Sequence, residues 1–321
     1  GALEEAISPA STVAGLENYR LYLDSENNSA GGDGHITTLE PDGNQEEASV
    51  LGGLEFRSSE LISDLTLYGE GSNNDEIQLT IYMRFLGQQG STGDVTFSLK
   101  AGDSQIDSES VDLDDPCSAT FGSTCNWVPQ EVMFSISSNG YTVENGKQIK
   151  LVIDGQASCE GQGGGFPGSD SCDIQVAFGD LDSSTSTSRL EVMANALSAS
   201  SVRVHEPGDS WNDPEVLEWA PNAMPDQREI QFDVDIRDAF GRADIESVSL
   251  VMSTPSGAGV MFDENFGDND LRLDNEGLVG NFTWTYEGGA AMAPGVYPLA
   301  LEIRDVQGHT VLYEHGGIEF V

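Results

Sequence analysis

Positive charge is scarce in this 321-residue chain: 13 Lys and Arg stand against 55 Asp and Glu, and only three of the basic residues are Lys. The formal net charge of −42 excludes a nucleic-acid binder and an adsorber to anionic membranes, because phosphates would be repelled across the whole surface. The deficit is no tail effect. Residues 203–321 hold 23 acidic and 6 basic residues, and residues 1–202 hold 32 and 7. Long apolar runs are also missing, and no window approaches the roughly 18 apolar residues of a membrane helix, so no membrane insertion by this segment is expected. Equally absent are a G-x-S-x-G nucleophile elbow and an H-E-x-x-H zinc motif. The four histidines, His35, His205, His309 and His315, are scattered and read as surface or turn residues. GGGFPG at 163–168 fits G-x-G-x-x-G literally, but no helix follows it and Pro167 lies inside, so it is no dinucleotide fingerprint. With so many carboxylates, no pair can be singled out for glycoside hydrolysis. The chain is read as not an enzyme.

Cysteine is sparse, and its spacing is informative. Cys117 and Cys125 bracket one loop rich in Ser, Thr and Gly, and Cys159 and Cys172 bracket another. Local closure of each loop is the simplest of the three pairings, which implies an oxidising compartment. The sequons at Asn27 and Asn281 agree with secretion and are candidate glycosylation sites. An acidic, Lys-poor surface also suits a salty, halophilic setting.

What is abundant is strand signal. EIQLTIYMRF (76–85), DVTFSLKAG (94–102), KQIKLVIDG (147–155) and DIQVAFGD (173–180) are β-rich runs separated by Gly, Asn or Asp. Val95, Phe97 and Leu99 alternate with Thr96 and Ser98, so one face is buried and the other wet. EIQFDVDIRD (229–238), DIESVSLVMS (244–253), VYPLALEIRD (296–305) and HTVLYEHGGIEFV (309–321) continue the pattern. The fold class expected is all-β, two tandem antiparallel β-sandwiches. Residues 1–15 are an N-terminal extension, 16–195 the first sandwich, 196–202 a small-residue linker and 203–321 the second sandwich. The echo of VDIRDAFGRADI in LEIRDVQGHTVL places Asp238 with Gly241 and Asp305 with Gly308 in tight turns, where the carboxylate accepts a backbone N–H.

On IRDAFGRADIESVSLVMSTP and PGVYPLALEIRDVQGH, the second half resembles the immunoglobulin-like sandwiches of prokaryotic surface proteins. On its strand rhythm and the SRLEV closing strand, the first half is similar to jelly-roll domains of secreted proteins, including many carbohydrate-binding modules. The acidity resembles that of archaeal surface proteins from salty water. These resemblances imply a fold and a setting, not an activity. The expectation is an extracellular, cell-surface structural or adhesive subunit of a stalk, filament or appendage, with other copies of itself or neighbouring surface proteins as partners. Glycans bound through the jelly-roll domain are the alternative.

Two candidate sites remain. DENFGDNDLRLD crowds five carboxylates beside Arg272, and Asp263, Asp268, Asp270 and Asp274 could supply oxygens to a structural Ca2+. Against so acidic a background the stretch reads equally as a solvated loop, and the solvated reading is preferred. A second candidate groups Asp24, Glu26, Asn28 and Asp33. For glycans, Tyr22, Trp127, Trp211 and Trp219 are the rings in or near irregular segments, whereas Trp284 shares a strand face with Phe282 and Tyr286 and reads as core.

Overall fold

The computed structural model describes residues 15–25, 31–42, 44–70, 75–117, 125–160, 172–180, 187–205, 217–220, 228–267, 270–274, 277–287 and 293–320. They form β1 (Glu17–Asp24), β2 (Gly34–Thr37), β3 (Glu46–Ser49), β4 (Leu54–Ser58), β5 (Leu65–Tyr68), β6 (Glu76–Leu86), β7 (Thr92–Ala101), β8 (Ser104–Leu113), β9 (Val128–Ser135), β10 (Tyr141–Val143), β11 (Ile149–Ser158), β12 (Asp173–Phe178) and β13 (Arg189–Ala194). The second half adds β14 (Leu197–His205), β15 (Leu217–Trp219), β16 (Glu229–Asp238), β17 (Ile245–Ser253), β18 (Val260–Asn265), β19 (Leu271–Asp274), β20 (Gly277–Thr285), β21 (Gly295–Asp305) and β22 (Thr310–Phe320). The fold is all-β and largely antiparallel; among the described residues the one helical element is a 3-10 turn, Arg242–Asp244. The chain divides into two compact units, Leu16–Ala194 and Asn195 onward.

The first unit is one 13-stranded sheet that turns over on itself, in the order β3-β12-β6-β13-β1-β2-β4-β11-β7-β8, with β9 beside β6 and β10 beside β5. The period-2 alternation decides how it turns. Ile77, Leu79 and Ile81 of β6 are fully buried, as are Ile149, Leu151 and Ile153 of β11 and Val95 and Phe97 of β7, while their neighbours remain partly exposed. Strands with one apolar face must cover that face with one another, and doing so is worth roughly 1.5–3 kcal/mol for each large side chain. Phe56 of β4 meets Phe178 of β12 edge to face, ring centres 5.0 Å apart. At the seam, the Ser135 N–H at the end of β9 donates to Asp107 of β8 at 2.6 Å. The predicted disulfides are both formed, Cys117–Cys125 and Cys159–Cys172.

In the second unit two sheets appear, β14-β16-β20-β19 and β15-β22-β21-β17-β18. This is the strand order of an immunoglobulin-like sandwich, four strands opposite the three-strand set of β17, β21 and β22. β18 extends that set on one side, and β15 extends it on the other by running parallel to β22. Phe232, Val234, Leu250, Leu301 and Ile303 fill the core with no exposed surface.

Two readings of the sequence are corrected here. Residues 196–202 are no linker: Leu197–His205 is β14, paired with β16, and Leu197, Ala199, Val202 and Val204 are buried. Small residues mimic a linker in composition, but a one-residue irregularity between Ala199 and Ser201 keeps the apolar side chains directed inward. DENFGDNDLRLD, read as a loop, opens in β18 and closes in β19, which belong to different sheets. Its acidic residues obscured the strands because β18 and β19 are outermost and largely exposed.

Candidate functional site

The residues with the most unusual chemistry lie in the turns that the sequence echo marked. At the end of β16, Asp238 Oδ1 accepts the Phe240 N–H at 2.9 Å, and the Asp238 carbonyl accepts the Gly241 N–H at 3.0 Å. At the end of β21, Asp305 Oδ1 accepts the Gln307 N–H at 3.0 Å, and its carbonyl accepts the Gly308 N–H at 3.0 Å. Gly241 and Gly308 adopt φ of 89° and 87°, the left-handed region that side chains resist. The two turns are one construction used twice.

They also meet. β17 pairs with β21 so that Ile245 lies opposite Asp305, and the Val306 N–H donates to the Asp244 carbonyl at 2.7 Å. This brings together three carboxyls, Asp238, Asp244 and Asp305, exposed by 0%, 1% and 0%. Asp305 is well supplied with donors: the His309 N–H reaches Oδ1 at 2.9 Å, and His309 Nδ1 lies 2.6 Å from Oδ2. The Arg242 guanidinium is anchored through Nη1 to the Ile245 carbonyl at 2.9 Å. Asp238 differs. No hydrogen-bond donor reaches its buried Oδ2, and its carboxyl lies against that of Asp244. Burial first, then the neighbouring Asp244 and Asp305, push the Asp238 carboxyl well above the ordinary carboxylate range, against the opposing Phe240 N–H.

The metal ligands proposed from sequence are distributed differently. Asp263 lies in β18, on the five-stranded sheet; Asp270 precedes β19 and turns Oδ2 back to the Gly267 N–H at 2.8 Å; Asp274 ends β19, on the four-stranded sheet. Asp268 lies outside the described residues. In the second candidate group, Asp24 caps the Ser25 N–H at 2.7 Å and Asp33 accepts the Glu55 N–H at 2.9 Å, while Glu26 and Asn28 lie outside the described residues. Among the described residues, no group of three or more His, Cys, Asp or Glu side chains is arranged to hold a metal ion.

Of the four histidines read as surface or turn residues, His309 does close the Asp305 turn, while the others lie in strands. His205 and His315 are buried, and His309 is nearly so, with 15% of its side chain exposed. His205 Nε2 lies 3.0 Å from Asp233 Oδ2, and His315 Nδ1 accepts the Gly317 N–H at 2.9 Å. His35 is half-buried; burial lowers its pKa, with Asp24 acting in the opposite direction. The rings of His35, His205 and His315 fit beside polar partners within strand ladders, a placement that single-sequence spacing does not show.

The rings are mostly covered. Tyr22 and Trp219 are buried, Trp219 among Trp284, Tyr286 and Phe320, and Trp127 lies beneath the Arg84 guanidinium, 4.2 Å from the ring centre. Among the described residues of the first unit no aromatic ring is largely exposed, though Tyr68, Tyr82, Trp127 and Tyr141 are partly so; Trp211 lies outside the described residues. Asn281 is exposed on β20. Asn27 lies outside the described residues. No described helix is long and apolar enough to cross a membrane.

No known family's sequence model matches the chain, and no curated protein matches it. Among solved structures, the chain is similar to a CocE/NonD family hydrolase from Staphylococcus aureus at 14% identity and TM-score 0.37, over 56% of this chain and 37% of that one. It is similar to an aminopeptidase from a marine sediment Thaumarchaeota archaeon at 8% identity and TM-score 0.38, again over 56% and 37%. A Parabacteroides merdae beta-glucuronidase gives 12% identity and TM-score 0.24, over 79% and 27%. This chain thus spans only 37% of the length of each of the first two, and scores this low carry no argument about activity.

Proposed function

We propose that this chain is a non-enzymatic extracellular subunit of a cell surface, stalk or appendage, and that its second sandwich makes contacts with further copies of itself. One observation carries the reading: the side of that sandwich where the chain passes from one sheet to the other. There β18 and β19 each pair with a neighbour on one side only among the described residues, and Val260 and Leu273 are each 62% exposed. An outer strand offers unpaired N–H and C=O groups to another chain, and adding a strand satisfies them. The first unit's outer strand β8 contrasts with this. Its Asp112 faces Asp94 of β7 directly, and hydrogen bonding to Asp112 is the first cause raising the Asp94 carboxyl. β8 also exposes no large apolar side chain to a neighbour, as Val260 and Leu273 do, and the carboxylates on β8, β18 and β19 alike make pairing along any of these edges depend on salt. The two disulfides support an oxidising, non-cytoplasmic location. Strong negative charge would confine assembly to solutions salty enough to screen it.

Light scattering on size-fractionated protein, across concentration and from low to molar NaCl, tests this. The wild type is expected to associate as protein and salt rise, and Val260→Lys with Leu273→Lys is expected to remain monomeric. A wild type that remains monomeric throughout, in molar salt and with calcium present, would overturn the reading.

A further inference from the structure

We infer that β19 pairs with β19 of a second copy, antiparallel and across a two-fold axis beside Leu273, so that Arg272 of each copy meets Asp274 of the other. The inference rests on the reading of the second sandwich as an assembling surface, and it names the strand that occupies that surface. Among the described residues β19 is hydrogen-bonded to a strand on one side only, β20, with Arg272 opposite Val279 and Leu273 opposite Leu278. Leu278 is a core residue, exposed by 2%. Leu273 therefore lies on the core side of the sheet, and Arg272 and Asp274 lie on the other face. Leu273 is still 62% exposed, because β19 is the last strand described on that side. A strand laid against β19 covers that side chain and takes up the outward backbone groups.

The order of the residues selects the occupant. Arg272, Leu273 and Asp274 read base, apolar, acid, and all three are exposed. An antiparallel copy reads acid, apolar, base. Centred on Leu273, the pairing sets Leu273 against Leu273 and forms two reciprocal Arg272–Asp274 contacts, directly opposite one another on one face. A slip of one residue would set Arg272 against Leu273 and turn one copy's apolar face over, so the register is specified. β18, the other strand on this side, is a poorer partner for β19. It carries Asp263 and Glu264 and no base, so its carboxylates would join Asp274 against one arginine. Self-pairing also accounts for the single base, Arg272, among the five carboxylates of DENFGDNDLRLD. It does not require Asp274 to lack a contact within its own copy, since a carboxylate has acceptor sites for more than one donor. The contact is isologous and joins copies in pairs.

Sedimentation of the full chain tests this, at the lowest NaCl concentration at which the wild type associates, because salt screens exposed ion pairs. Arg272→Asp sets acid against acid at both contacts, and Asp274→Arg sets base against base. Each alone is expected to weaken pairing by roughly tenfold or more, since one substitution acts at two symmetric contacts. General charge alone predicts the opposite for Asp274→Arg, which lowers the net negative charge. Mixed in equal amounts, the two variants restore both contacts, and pairing is expected to return. Leu273→Cys, in a chain whose four cysteines are all bridged, is expected to give a disulfide-linked dimer under mild oxidation. A wild type that never associates overturns the assembly reading and this inference with it. A wild type that associates while either single variant pairs as well, or while the mixture stays monomeric, overturns only the choice of β19 as the partner. An oxidised Leu273→Cys variant that stays monomeric under conditions where the wild type associates does the same.

Discussion

Replacing Cys159 and Cys172 with alanine removes the larger of two covalent loops, and the expected effect follows from loop length. The bridges join residues 13 and 8 apart in sequence. Chain-entropy closure of loops that size is worth about 2.9 kcal/mol and about 2.5 kcal/mol respectively, exerted on the unfolded chain rather than through native contacts. Both bridges lie within the first unit, so the loss belongs to that unit alone. For a unit of that size each kcal/mol moves the midpoint by about 2–4 °C, so the Cys159→Ala, Cys172→Ala variant melts about 6–12 °C lower in its first-unit transition. Alanine is chosen because Cys172 is buried and a serine hydroxyl there would need a partner. Differential scanning calorimetry resolves the two units, and the reduced wild type, which loses both bridges, is expected to melt lower still in its first-unit transition. A first-unit transition that does not move refutes the closure argument. So does a second-unit transition that moves as far, because the second unit contains no bridge.

Further outcomes are expected from pH, glycine and salt. The raised Asp238 carboxyl keeps its proton longer when folded, so its contribution is full below the unfolded value of 3.8 and falls as pH rises through the higher folded value. The difference in stability between wild type and Asp238→Asn therefore changes by up to about 1.4 kcal/mol per pH unit, in favour of the variant as pH rises; denaturant titrations across pH that show a flat or opposite trend contradict this. Gly317→Ala places a Cβ 1.8 Å from the Tyr297 carbonyl oxygen at φ 84°, whereas Gly146→Ala, at φ 76°, meets nothing within 4 Å. The second change costs only the left-handed conformation, about 1–2 kcal/mol, and the first must cost several times more in unfolding measurements. A net charge of −42 makes stability rise between about 0.1 and 1 M salt, as the screening length falls from about 10 to 3 Å, and a melt insensitive to salt would argue against self-repulsion.

The all-β architecture was legible because alternation such as Val95, Phe97 and Leu99 answers to a single buried face. β1 escaped reading although Tyr19, Leu21 and Leu23 carry the same alternation; other strands escaped because the signal fails in them. β8, SQIDSESVDL, is polar and only partly covered, and β18 and β19 bury little, so neither side of those strands carries an apolar stripe. The turn chemistry of Asp238 and Asp305 was written in the I-R-D-x-x-G echo, and each Asp carboxylate does accept the N–H two residues on. That the two turns touch was not written there. It depends on β17 pairing with β21, which sets Ile245 opposite Asp305 and draws in Asp244, a residue that nothing in its local sequence marks out. Likewise the burial of His205 depends on β14 pairing with β16, which places it diagonally from Asp233.

Assembly through the open side of the second sandwich is tested most directly by amide hydrogen exchange, comparing dilute protein with protein concentrated in molar salt. Slowed exchange confined to β18 and β19 is the predicted result, because a neighbouring chain would take up their outward N–H groups. Assembled protein in which those amides exchange as fast as in the monomer, or in which β8 is protected instead, would contradict it.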